Sequence, residues 1–172
     1  MTAPPYRCRH ARRSITGVRP NRSIPDAPVV PVLTYPDVRA AVEWLTAAFG
    51  FSERVRIGGA HRSQLRAGGG AVIIADVHGA RCAPQPGQVT HSVMVRVDDA
   101  QSHCAHARQH GARIVDEPTD FPYGERQYTA EDLAGHRWTF SETLADVEPE
   151  RWGGASLPDP TARSQRMRGP GR

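Results

Sequence analysis

Residues Tyr123–Glu142, YGERQYTAEDLAGHRWTFSE, read as a hairpin. Alternation predicts strands over residues 126–130 and 136–141, joined by the turn Asp132-Leu133-Ala134-Gly135. Gly135 can take the positive φ such a turn needs, and the Asp132 carboxylate can bond its own backbone. In the second strand His136, Trp138 and Phe140 fall on one face, and Arg137, Thr139 and Ser141 on the other. The first face is expected to pack on apolar structure and the second to line a cavity.

Upstream of the hairpin the chain says the same thing twice. Val29–Tyr35 is short, β-branched and bounded by prolines, which predicts a strand with Pro31 at its edge or start. Asp37 then precedes Val38, Val42, Leu45 and Phe49, one apolar face of a helix that Gly50 can cap. Strands over 51–57, 61–67 and 71–77 follow, separated by Gly58-Gly59 and Gly68-Gly69-Gly70, and residues 78–90 form a Gly/Pro-rich linker. The order then restarts. A strand over 91–97 places Val93, Val95 and Val97 on one side, Asp98-Asp99 opens a helix running to His110 and Gly111, and 112–115 is a strand. Residues 117–122 read as a loop before the hairpin. Asp37 to Gly50 and Asp98 to Gly111 span the same length at an offset of 61 residues. The repeat is one of pattern rather than of side chains.

Composition narrows the function classes. The 172 residues carry +4 formal charge, distributed as +5 over 1–28, −4 over 29–152 and +3 over 153–172, so the basicity belongs to the ends. Residues 1–27, rich in Pro, Arg and Ser, are expected to be a disordered arm, and 153–172 a disordered Arg-rich tail. A folded domain is expected over 28–152, with modules at 28–78 and 91–145. An acidic domain without a basic face argues against specific nucleic-acid binding. No apolar run is long enough to cross a membrane, and no apolar h-region marks a secretory signal. Cys8, Cys82 and Cys104 are odd in number and widely spaced, the pattern of reduced cytosolic thiols rather than of a disulfide framework.

A repeated βαβββ unit, with AAVEWLTAAFGF, VRVDDA, the PYGERQY run and GHRWTFSETLADVEPERWG, resembles the vicinal-oxygen-chelate superfamily. That superfamily includes glyoxalase I, extradiol dioxygenases and the bleomycin-resistance proteins, and the resemblance covers about 29–152. It implies an α+β fold of two modules whose curved sheets join around a cleft. In members similar to glyoxalase I it also implies four His or Glu metal ligands, one from the first and one from the last strand of each module. By register these positions are Val30, Ile74, Ser92 and Thr139. None of these side chains builds a zinc, nickel or iron site, and a one-residue slip would bring in only His91 while turning that strand's valines over. No metal or other cofactor is therefore expected.

Other candidate groups read as structural. His103, His106 and His110 flank the apolar stripe of the second helix, where Cys104 packs, and are expected to be a partly solvated face. His61 and Arg62 read as an ordinary strand end; Glu117, Asp120 and Glu125 show no partner in the sequence. No GxSxG, P-loop or HExxH occurs, and no catalytic residue is assigned. Trp138 and Phe140 are expected in the core, Trp44 in the core or at a helix edge, and Trp152 pinning the domain's end. The residues expected to bind a ligand are Ser92, Met94, Arg96, Phe121, Tyr123, Tyr128, Arg137 and Thr139, a mixture of aromatic surface and arginine suited to an anionic or aromatic molecule, with capping of the core the alternative for Tyr123 and Tyr128. The expected function is capture or sensing of a small organic molecule by a cytosolic homodimer. The alternatives are a metal-dependent lyase, isomerase or dioxygenase with misaligned ligands, and an interaction module whose cleft is vestigial.

Overall fold

The computed structural model describes residues 21–85 and 88–157. The first module runs β1 (Val32–Tyr35), α1 (Val38–Phe49), β2 (Ser52–Ile57), β3 (Arg62–Ala67) and β4 (Gly70–Asp76). The second runs β5 (Ser92–Arg96), α2 (Ala100–Gln109), β6 (Arg113–Phe121), β7 (Glu125–Glu131) and β8 (Arg137–Thr143). The strand order is β1-β4-β3-β2 in one sheet and β5-β8-β7-β6 in the other, so the second sheet repeats the first. In both, the first strand lies parallel to the last and the remaining pairs are antiparallel. The α+β class and the paired-module architecture expected from the sequence are what is found.

Local chemistry explains the helices. Asp37 caps α1 by accepting from the backbone N–H of Arg39 and Ala40, and Gly50 ends it at φ 69°. Asp99 caps α2 through Ser102, and Glu142 of β8 accepts from Ala100 N at 3.0 Å, tying the start of the helix to the sheet. Val38, Val42, Leu45 and Phe49 are buried, as their spacing predicts.

One core serves both modules. Leu33, Tyr35, Leu65, Val72 and Ile74 of the first sheet and Tyr128, Ala130, Trp138 and Phe140 of the second bury their side chains with both helices in a single cluster. Phe49 stands edge-on to Trp138 at 5.7 Å and to Phe140 at 4.8 Å. The modules are also bolted at Asp132. Its carboxylate accepts from the Tyr35 hydroxyl (2.6 Å), the Trp138 indole N–H (2.9 Å) and the backbone N–H of Ala134 and His136 (both 3.0 Å). Burial and the adjoining Asp132 charge push the Tyr35 hydroxyl pKa well up, so it stays a donor. Because the helix-facing sides of both sheets share this core, the opposite faces, here called the outer faces, look away from it.

One reading is corrected. Residues 117–122 are not a loop: β6 continues through them to Phe121 as an edge strand, with its register broken around Pro118. The three helix histidines are the partly solvated face expected, with His106 and His110 exposed and His103 half-buried, and they also bond the neighbouring helix. His103 and His106 donate from Nε2 to the carbonyls of Phe49 (3.3 Å) and Ala47 (2.8 Å), satisfying the last turn of α1. The Trp44 indole N–H returns a bond to the His110 carbonyl at 2.8 Å. Residues 21–27, assigned to the arm, lie against the first sheet; the rest of the arm, and the tail beyond 157, lie outside the described residues.

Candidate functional site

Alternation and register set out the outer face of the second sheet in rows. Ser92 pairs with Arg137 and Glu131, Met94 with Thr139 and Thr129, and Arg96 with Ser141 and Gln127; Thr143 pairs with Glu125 at the end. Five residues expected at a ligand, Ser92, Met94, Arg96, Arg137 and Thr139, share this face. It is open, with Met94 57% exposed. At the Arg137 end one carboxylate serves two guanidiniums, since Glu131 bridges Arg137 (3.0 Å) and Arg113.

The Arg96 end is a built recess of about 600 Å³ lined by Arg96, Tyr123, Glu125, Thr143, Asp146 and Trp152, among others. Gly124 makes it possible. It sits at φ 83°, and a Cβ there would collide with the carbonyl oxygen of Ala145. Without one, the Gly124 carbonyl accepts from the N–H of Leu144 (2.8 Å) and Ala145 (3.1 Å), folding the segment after β8 back over the β6–β7 turn. That return carries Trp152 onto Tyr123, ring centroids 5.6 Å apart, and Tyr123 stacks on Phe121 at 5.1 Å. Trp152, read as a pin for the domain's end, thus also forms an aromatic wall, 42% exposed.

The polar floor is organised around Glu125, the carboxylate for which the sequence offered no partner. Ser141 Oγ (2.5 Å) and Gln127 Nε2 (2.7 Å) donate to it, and with help from the Arg96 charge they hold its carboxyl below the usual range. Arg96 donates to Thr143 Oγ1 at 3.0 Å. Tyr123 is pushed the other way, its hydroxyl pKa raised by burial and the Glu125 charge. With Glu125 and Asp146 beside Arg96, the charges of the recess are mixed, next to the rings of Tyr123 and Trp152.

Tyr128 does not join the others. It pairs with Phe140 across β7–β8, is 1% exposed, and its hydroxyl donates to His103 Nδ1 at 2.5 Å on the helix side. Glu117 and Asp120, like Glu125, have partners, Arg108 and Arg126. His61 pairs with Asp76 at 2.9 Å, away from the recess.

The metal positions can now be placed. Ser92 and Thr139 do lie on the outer face, and Val30 precedes β1, but Ile74 points into the helical core; the outward residues of β4 are Ala71, Ile73 and Ala75. None offers a His, Glu or Cys donor. His91 shares the helix-facing parity of Val93 and lies 6.4 Å from His136 between ring centroids. Among the described residues, no three His, Cys, Asp or Glu side chains stand together as a metal-holding group. The residues present do not fit a glyoxalase-type metal.

Comparisons with known proteins agree with the architecture. Among solved structures, TioX from Micromonospora sp. ML1 is similar at 35% identity, with 67% of this chain and 97% of that one covered and a TM-score of 0.57. A glyoxalase/bleomycin resistance protein/dioxygenase from Nocardioides is 19% identical over 84% of this chain and 93% of its own, at TM-score 0.58. A glyoxalase/bleomycin resistance protein from Streptomyces sp. CB03234 is 20% identical over 66% and 97%, at TM-score 0.54. The last two speak to fold alone. No curated protein matches. A family model matches residues 28–140, and on that match and the paired modules the chain belongs to the Glyoxalase/Bleomycin resistance protein/Dioxygenase superfamily.

Proposed function

We propose that the chain binds a planar aromatic small molecule without a metal, as a sequestering or sensing protein of the cytosol. One observation carries the reading: the Phe121–Tyr123–Trp152 wall rises beside Arg96 and Glu125 on an open sheet face. Stacking supplies affinity there, and a guanidinium next to a carboxylate orients a ligand that has both donor and acceptor groups. The donor set on the outer strands supports the metal-free part. A homodimer is part of the same reading, because each outer face looks away from its own module's core and the second lies open for another copy to close.

Thermal unfolding against a panel of planar aromatic compounds tests this. A true ligand raises the melting temperature as RT ln(1 + [L]/Kd) and quenches Trp152 fluorescence, and EDTA leaves both effects unchanged. Stabilisation that EDTA abolishes and added zinc or nickel restores would transfer the protein to the metal-dependent reading. Sedimentation at rising concentration reads the dimer.

A further inference from the structure

The outer face of the first sheet corresponds, strand for strand, to the face that carries the recess in the second, yet its middle is covered while Val32 and Ile57 toward its edges stay exposed. Gln64 is 4% and Ile73 8% exposed. Lying against this face is the segment at residues 21–27. Gln64 Nε2 donates to the Ser23 carbonyl at 2.8 Å, and Arg54 Nη2 donates to the Arg22 carbonyl at 2.7 Å. Arg54 Nη1 also donates to Gln64 Oε1 at 2.5 Å, so the two receiving side chains hold each other in place. The segment is shaped for the contact. Asn21 Oδ1 accepts from Ser23 N (2.9 Å), its carbonyl accepts from Ile24 N (3.3 Å), and Pro25 is buried just beyond the turn.

We infer that residues 21–27 are a strap that docks on the outer face of the first sheet and covers its middle around Gln64, leaving the second sheet as the more open binding face. Recognition runs through main-chain carbonyls received by Arg54 and Gln64, with Pro25 as the buried anchor. A buried amide and a half-buried guanidinium paired with each other and with those carbonyls are a built receptor, since the Gln64 amide would not be desolvated without its partners. When the strap leaves, Ile73 is uncovered and joins Val55 and the already exposed Val32 as an apolar surface. The strap does not depend on the ligand proposed for the second sheet.

The Arg22–Ser23 bond is a trypsin site whose carbonyl Arg54 holds. In the full-length chain, Pro25→Asp places a charge at the buried anchor without touching the sheet, and Arg54→Ala with Gln64→Ala removes the receptor. Both should speed cleavage after Arg22 by about tenfold or more, with unchanged thermal unfolding of the domain in P25D serving as the folding control. Both should also raise fluorescence of the apolar probe 8-anilinonaphthalene-1-sulfonate. Cleavage of P25D no faster than that of the parent chain overturns the strap, and faster cleavage with no new probe binding overturns its covering of the face. Neither readout involves the recess at Trp152, so failure of the ligand reading would leave the result intact.

Discussion

The two sheets are built to one plan and finished to opposite ends. Each offers the helices a set of buried apolar side chains and turns an outer face away from them. On the first sheet that face carries Val32, Val55, Gln64 and Ile73, and its middle is covered by residues 21–27. On the second it carries Met94, Thr139, Glu125 and Arg96, and it stays more open. Side chains on the helix side are set by the shared core, while those on the outer side answer only to what lies over them. The duplicated pattern could therefore survive while the two outer faces diverged, one toward a fixed cover and one toward a recess.

The largest effect should come from breaking the joint that keeps the two halves in one core. Asp132→Ala leaves the Tyr35 hydroxyl and the Trp138 indole N–H buried without an acceptor and removes two backbone bonds of the turn. It should cost about 4 kcal/mol. Trp138→Ala, a cavity among Phe49 and Phe51, should cost about as much, in the range of roughly 3–5 kcal/mol. Chemical denaturation measures both. Loss of one module with the other left folded, seen as two transitions, would show that the halves are separable and the single core is not.

The next test touches only the second face. Gly124→Ala forces a side chain into the Ala145 carbonyl and into a positive φ, so it should unseat the segment that bears Trp152. About 1–2 kcal/mol of stability should go with it, and with it any binding at the recess. Tyr123→Ala and Trp152→Ala should each weaken a planar ligand about tenfold, the worth of one aromatic pair, with little change in unfolding. Ile73→Ala on the first face should leave binding unaltered. If the ligand responds to Ile73 and not to Tyr123, the two faces have been assigned the wrong way round.

How much of this was legible follows from what each feature depends on. The repeat, the caps at Asp37 and Asp99 and the two faces of β8 rest on spacing along the chain, and the sequence carries spacing. Tyr128 was misplaced because its face depends on register across the 132–135 turn, which sets Glu131 opposite Arg137 and so Tyr128 opposite Phe140. Counting outward from Gly135 would have found it. Glu125 lies sixteen residues from Ser141, its chief donor, and only strand pairing joins them. The second half of β6 was hidden by Pro118, which breaks a central strand but is tolerated at an edge. The docked segment left no signal, because the groups it offers are backbone carbonyls, which every residue has.

The smallest effect concerns a link that runs both ways between the modules: α2 lends His103 and His106 to the end of α1, and α1 returns Trp44. His103 is neutral by construction. Its Nε2–H donates to the Phe49 carbonyl while Nδ1 accepts from the Tyr128 hydroxyl, and Phe140 lies 4.4 Å away between ring centroids. Burial lowers its pKa below the ordinary value, with His106 adding repulsion if both charge. Charging it would cost desolvation and set an N–H against the Tyr128 hydroxyl proton. A folded-state pKa below the unfolded value of about 6.5 means the imidazole contributes its full stability above that pH. The contribution should fade as pH falls from about 6.5 through the lowered value, a window opening above that of the carboxylates. His103→Gln keeps a donor and an acceptor but does not titrate, so its stability should change less between about pH 6.5 and 5 than that of the parent chain. Parallel pH curves for the two proteins would mean that the contact between the helices is held by packing of Phe49 rather than by the neutral histidine.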